Sequence, residues 1–180
     1  MSQRNPVASW SVPVTVAEIP ETGLHVDLTA DSGTRDAVAA AVGVEAMPGL
    51  EASFDLVRIG ADGVGLAGRV QATVVQSCVV TLEPLESRVD EAVELVFLPE
   101  PGGPADAAGL QPIEGEEPPE ALVDGKLDLG AIAVEFVFLG IDTYPRKPGA
   151  VFDAAPAGDP SSHPFAALAA LKKGETPDKA

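Results

Sequence analysis

Thiols and imidazoles are the side chains best suited to nucleophilic or metal chemistry, and this chain has one cysteine, Cys78, and two histidines, His25 and His163. A single thiol excludes an intramolecular disulfide and a cysteine-rich zinc site. As a nucleophile Cys78 needs a base beside it, and it falls on the apolar side of a strand pattern. It therefore reads as a buried structural thiol. Gly63-Val64-Gly65-Leu66-Ala67-Gly68 matches G-x-G-x-x-G. A dinucleotide site, however, requires a helix to open after the glycines and hold the pyrophosphate. Here Arg69 to Val74 alternates like a strand, which makes the glycines part of a hairpin. Glu114, Glu116 and Glu117 lack the ordered oxygen spacing of a calcium loop and read as solvated charge. The abundance of carboxylates is the only motive for a hydrolase reading, and no acid–base pair can be picked out from 28 acidic residues. The expectation is no catalytic residue, no metal, no other cofactor and no small-molecule substrate.

What survives is binding. The net charge is −17, with 11 Lys and Arg against 28 Asp and Glu. A protein that grips nucleic acid by neutralising phosphates needs clustered cations, so a broad nucleic-acid interface is excluded and a basic protein partner fits the field. The charge is uneven: residues 100–128 hold eight acids and one base. Three sets of residues are candidates for partner binding. Glu114, Glu116 and Glu117 either attract a basic partner or serve solubility alone. Tyr144, Arg146 and Lys147 lie in a stiff, basic, extended segment; its two charges either neutralise nearby acids or, with Arg69, contact phosphate locally. Phe165, Leu168 and Leu171 are the apolar anchors of a C-terminal helix too short to persist alone, which docks on its own core, docks on a partner, or stays disordered.

The elements that must position these residues follow from period and punctuation. Trp10 to Ile19 and Leu24 to Leu28 read as strands. Asp31-Ser32-Gly33-Thr34 followed by an alanine-rich run reads as a capped helix that stops at Gly43. From Leu50 the pattern is a β-meander. Phe54 to Ile59 turns at Asp62-Gly63 into a long strand, Gly68 to Leu82, and Val89 to Leu98 follows. Val70, Val74, Cys78, Val80, Leu82, Leu95 and Phe97 are the expected core. Asp128 caps a helix from Leu129 to Gly140, whose Leu129, Ile132, Phe136 and Leu139 share one face; its Val and Phe content also suits a strand. The fold class is α+β: a mainly antiparallel sheet of five to seven strands with two or three helices. Residues 1–152 form the domain, with an acidic flexible loop at 99–119; 153–163 are a linker, and 164–180 are the short helix and tail. No apolar h-region follows the N-terminus, and the most apolar run, Leu129 to Ile141, is too short to span a bilayer. A cytoplasmic protein without a membrane partner is expected.

Four segments in this order resemble the YceD family, a bacterial and chloroplast group linked to accumulation of large-subunit ribosomal RNA. They are Val75-Gln76-Ser77-Cys78 through Leu82-Glu83-Pro84, then Lys126-Leu127-Asp128-Leu129-Gly130 with Glu135, then Ile141-Asp142-Thr143-Tyr144-Pro145-Arg146-Lys147-Pro148, and finally Pro164-Phe165-Ala166-Ala167-Leu168-Ala169-Ala170-Leu171-Lys172. The likeness runs roughly from Leu50 to Lys173. Many members carry C-x-x-C where this chain has Val75 and Cys78, so if other members bind metal there, this chain has lost that site. The resemblance implies a non-enzymatic role in ribosome biogenesis, with a basic ribosomal protein or a large-subunit precursor as partner. Direct contact with precursor ribosomal RNA through a small basic patch is the alternative.

Overall fold

Two aspartates set the two helices. Asp31 accepts the Thr34 N–H at 2.7 Å and starts α1, Ser32–Val42, which Gly43 ends in the left-handed conformation, φ 83°. Asp128 accepts the Ala131 N–H at 3.1 Å and starts α2, Leu129–Gly140. These helices flank strands in a computed structural model that describes residues 9–99, 119–122 and 124–152. The chain divides into two compact units, Met1–Lys147 and Pro148–Ala180. Every element described here belongs to the first.

The strands are β1 (Pro13–Thr15), β2 (Leu24–Thr29), β3 (Ala46–Ile59), β4 (Gly63–Ser77), β5 (Pro84–Pro99), β6 (Glu120–Leu122) and β7 (Lys126–Asp128). Five make one sheet in the order β2-β3-β4-β5-β6, antiparallel except for the short parallel pair β5–β6; β1 and β7 make a separate ribbon. The fold is thus α+β, as the sequence predicts. The register aligns the apolar positions in rows across the sheet. Phe54 lies opposite Gly68 and Gly68 opposite Val93; Leu56 lies opposite Leu66 and Leu66 opposite Leu95. One face of the sheet therefore buries Leu50, Phe54, Leu56, Val64, Leu66, Val70, Val74, Val89, Val93 and Phe97. α1 packs beside β3, and α2 packs on β4 and β5.

Several expectations need correction. Regular pairing of the first predicted strand is confined to Pro13–Thr15, because Val16–Glu18 turns into a short 3-10 helix. The Glu18 carboxylate accepts the Thr15 N–H at 2.8 Å and its hydroxyl at 2.9 Å, which fixes that turn. The β3–β4 hairpin closes over Gly60, Ala61 and Asp62, and Gly60 rather than Gly63 takes the positive φ, 64°. β4 ends at Ser77, well before Leu82. Leu82 is 78% exposed with φ 59°, and Val80 and Leu95 are half-buried. The buried face of α2 is only partly as expected: Leu129 and Ile132 are buried as predicted, but Gly130, Ala133, Val134 and Val137 are buried beside them, Phe136 is half-buried and Leu139 is 68% exposed. Glu135 is the single charge in this helix, so apolar periodicity cannot define its phase. Close approach does: a Cβ on Gly130 would lie 2.8 Å from the Trp10 carbonyl oxygen.

Candidate functional site

The turn after β4 is laced to the segment after α2. The Gln76 side-chain amide donates to the Asp142 carbonyl at 2.9 Å, and the Val79 N–H donates to the Pro145 carbonyl at 2.9 Å. Asp142 accepts the Tyr144 N–H at 2.8 Å, which folds the segment back on itself. Within the turn, Cys78 N–H donates to the Glu83 carbonyl and Leu82 N–H to the Cys78 carbonyl, both at 2.9 Å. Val79, Leu82 and Tyr144 are left exposed, Tyr144 at 72%.

Cys78 sits at the centre of this junction with no exposed surface. Its sulfur accepts the Lys147 N–H at 3.4 Å. The Thr81 hydroxyl, then the Lys147 and Thr81 N–H groups, then the Val80 N–H lower the thiol from its ordinary 9.0 to about 6, against the opposing effect of burial. The thiol is buried, as the sequence predicts, and it is also acidified. It is not placed as a nucleophile, since the sulfur is covered, and its donors are backbone groups and Thr81 rather than a histidine. His25 lies on β2, where its ring contacts Asp55 at 2.7 Å and Asp27 at 3.3 Å. Among the described residues no three His, Cys, Asp or Glu side chains group to hold a metal ion.

The depressed thiol has a stability consequence. The unfolded chain keeps a proton on Cys78 up to about pH 9, whereas the folded chain releases it from about pH 6 upward. The stabilisation is complete above pH 9 and is lost as pH falls through 6. Urea unfolding of the wild type and of Cys78→Ala should differ increasingly from pH 6 to pH 9. A difference that stays constant over that window would show that the sulfur is not held as a thiolate.

The predicted partner-binding residues are placed as follows. Tyr144, Arg146 and Lys147 lie together on the laced segment, with Arg146 exposed. The Lys147 ammonium meets Glu83 at 2.9 Å, and this contact holds the Glu83 carboxyl below its ordinary value. Arg69 is elsewhere, roughly 26 Å of strand before Ser77 at the end of β4, and it meets Asp90 at 2.6 Å. Glu114, Glu116, Glu117, Phe165, Leu168 and Leu171 lie outside the described residues. The sequence reading missed Thr81, Glu83 and the exposed Val79 and Leu82. Pro84, which opens β5, was the available sign that the strand could not run on.

No helix among the described residues is long and apolar enough to cross a membrane. No curated protein and no solved structure gives a significant match. The family model described as "Large ribosomal RNA subunit accumulation protein YceD" matches residues 66–172. The match begins in β4 and takes in β5, the turn that holds Cys78, the Asp128 cap, α2 and the segment laced to that turn, and it covers more than half of the sequence: the chain belongs to the YceD family.

Proposed function

We propose that this chain acts without catalysis in large-subunit biogenesis, by binding a basic ribosomal protein or an assembly intermediate that exposes one. One observation carries the reading: four of the seven described cations are engaged within the fold, leaving Arg88, Lys126 and Arg146 at the surface, while many carboxylates face solvent unpaired. Arg35 donates to the Ala30 carbonyl at 2.6 Å and Arg58 to the Val16 carbonyl at 2.8 Å; Arg69 and Lys147 are ion-paired. Glu51, Glu86, Glu94 and Glu135 are exposed, and none of them pairs with a described residue. Such a surface attracts a polycation and repels a polyanion. Two of the three cations in the alternative RNA patch already have carboxylate partners, which weakens that reading.

Affinity purification of the tagged chain at low and high salt tests the proposal. The expected result is recovery of a basic large-subunit protein at low salt, with loss at high salt and no change after nuclease treatment. Recovery of ribosomal RNA alone would favour the RNA patch, and recovery of neither would refute the proposal.

A further inference from the structure

β5 pairs with β4 along one edge from Pro84 to Phe97, but on its other edge it meets β6 only at Phe97–Pro99. From Leu85 to Val96 that edge has no strand partner among the described residues. An open edge is a template for another extended chain. A groove of about 400 Å³ lies beside it, lined by Leu95, Phe136 and Leu139 and by the carboxylates Glu94, Glu120 and Glu135. The groove lining thus combines apolar side chains with carboxylates.

We infer that the open edge of β5 takes an extended cationic polypeptide segment, which adds as a strand and seats one aliphatic or aromatic side chain between Leu95, Phe136 and Leu139. Main-chain hydrogen bonds to β5 supply sequence-tolerant affinity, and the groove selects the anchoring side chain. A lysine or arginine next to the anchor lies on the opposite sheet face with Glu94, and one two residues away lies on the anchor's own face, toward Glu135 on α2. The charge decides among occupants. A second copy of this chain would bring its own glutamates against the same carboxylates, and like charges on neighbouring strands repel. A polynucleotide meets the same repulsion and has no apolar anchor. The inference rests on the reading that the partner is a cationic polypeptide, and it names where and how that partner sits.

The test uses the full chain and a labelled peptide of lysines around one central valine, with a glutamate-for-lysine peptide as control. Fluorescence anisotropy should show salt-sensitive binding of the lysine peptide only. The double variant Glu94→Lys with Glu135→Lys should weaken it by about tenfold or more. The control Asp36→Lys with Glu51→Lys makes the same change of net charge away from the groove and should leave affinity within about twofold. Leu139→Glu, at an exposed position, should also weaken binding. Amide exchange should slow in residues 85–96 when the peptide is added. Equal losses in both charge variants would reduce the binding to the general field and overturn the inference. So would protection that appears elsewhere, or an edge already protected in the peptide-free chain, whether by a second copy (seen as a concentration-dependent mass) or by the chain itself. If the affinity purification yields a ribosomal protein that Leu139→Glu and the groove charge variant still hold, the groove is wrong and the wider reading stands.

Discussion

Replacing Gly68 by alanine should destabilise the chain by about 3 kcal/mol, at the upper end of what one added methyl does to a packed interior. Gly68 sits in β4, hydrogen-bonded between β3 and β5, on the buried face of the sheet. A Cβ built there would lie 2.2 Å from the Ser53 carbonyl oxygen, 2.7 Å from Phe54 Cδ1 and 3.0 Å from Phe54 Cα. The nearest obstacle is backbone in a paired strand, so no rotamer change relieves it. The fully buried Phe54 ring occupies the space that a side chain at 68 would need. Two companions make the test specific. Gly65→Ala meets only the side chains of Ile59 and Val57, at 3.2 Å, and both are partly exposed and can move. It should change stability by less than about 1 kcal/mol, since removing a strand glycine also relieves unfolded-state entropy. Phe54→Leu should not rescue Gly68→Ala, because the Ser53 carbonyl remains. The measurement is urea unfolding followed by circular dichroism. A Gly68→Ala protein as stable as wild type would show that the sheet can open at this point. The same glycines match a nucleotide-binding spacing; their packing role requires Gly68→Ala to act on stability.

What the sequence reveals divides according to how far each cause lies along the chain. α1 is legible because its cap, Asp31, and its stop, Gly43, are adjacent to the run they bound. The Asp128 cap and the middles of the three long strands are legible for the same local reason, although β3, β4 and β5 begin at Ala46, Gly63 and Pro84, ahead of the predicted Phe54, Gly68 and Val89; the sheet register then follows from alternating apolar positions. The end of β4 is not legible. Val79, Val80 and Leu82 are all good strand formers, and what turns the chain at Cys78 is contact with Pro145 and Lys147, far downstream. The acidified thiol is hidden for that reason as well, since one of its main donors is the Lys147 N–H. The phase of α2 escaped because an almost wholly apolar helix has no polar side to fix it, and with it escaped the exposure of Leu139 and the groove beside β5. The short turn at Val16–Glu18 is a different case: Thr15 and Glu18 stand at capping-box spacing, so that signal was present in the sequence.

Asp128→Ala should also cost about 3 kcal/mol, through three connections made by one carboxylate. Asp128 accepts the Ser11 hydroxyl at 2.5 Å, the Val12 N–H at 2.8 Å and the Ala131 N–H at 3.1 Å. It thereby caps α2 and ties the segment before β1 to the end of β7. Loss of an N-cap costs about 1 kcal/mol, and loss of a hydrogen bond to a charged group about 1.5–3 kcal/mol, discounted here because Asp128 is only half-buried. Burial opposes ionisation of this carboxyl, but the Ser11, Val12 and Ala131 donors outweigh it and hold the group below its ordinary 3.8. The stabilisation from the charge is therefore present above pH 3.8 and disappears as pH falls through the lower folded value. Asp128→Asn keeps a cap oxygen without the charge, so it should cost about 1 kcal/mol at neutral pH and converge on the wild type in acid. Amide exchange locates the damage: the first turn of α2 and the β1–β7 ribbon should lose protection before β3 and β4 do. Because α2 supplies Phe136 and Leu139 to the groove, a frayed start also lets that wall shift. Peptide affinity should then fall with temperature earlier in Asp128→Ala than in the wild type. Uniform loss of protection across the whole sheet would mean instead that the Asp128 contacts are part of the global core and that α2 has no separate hold on its own position.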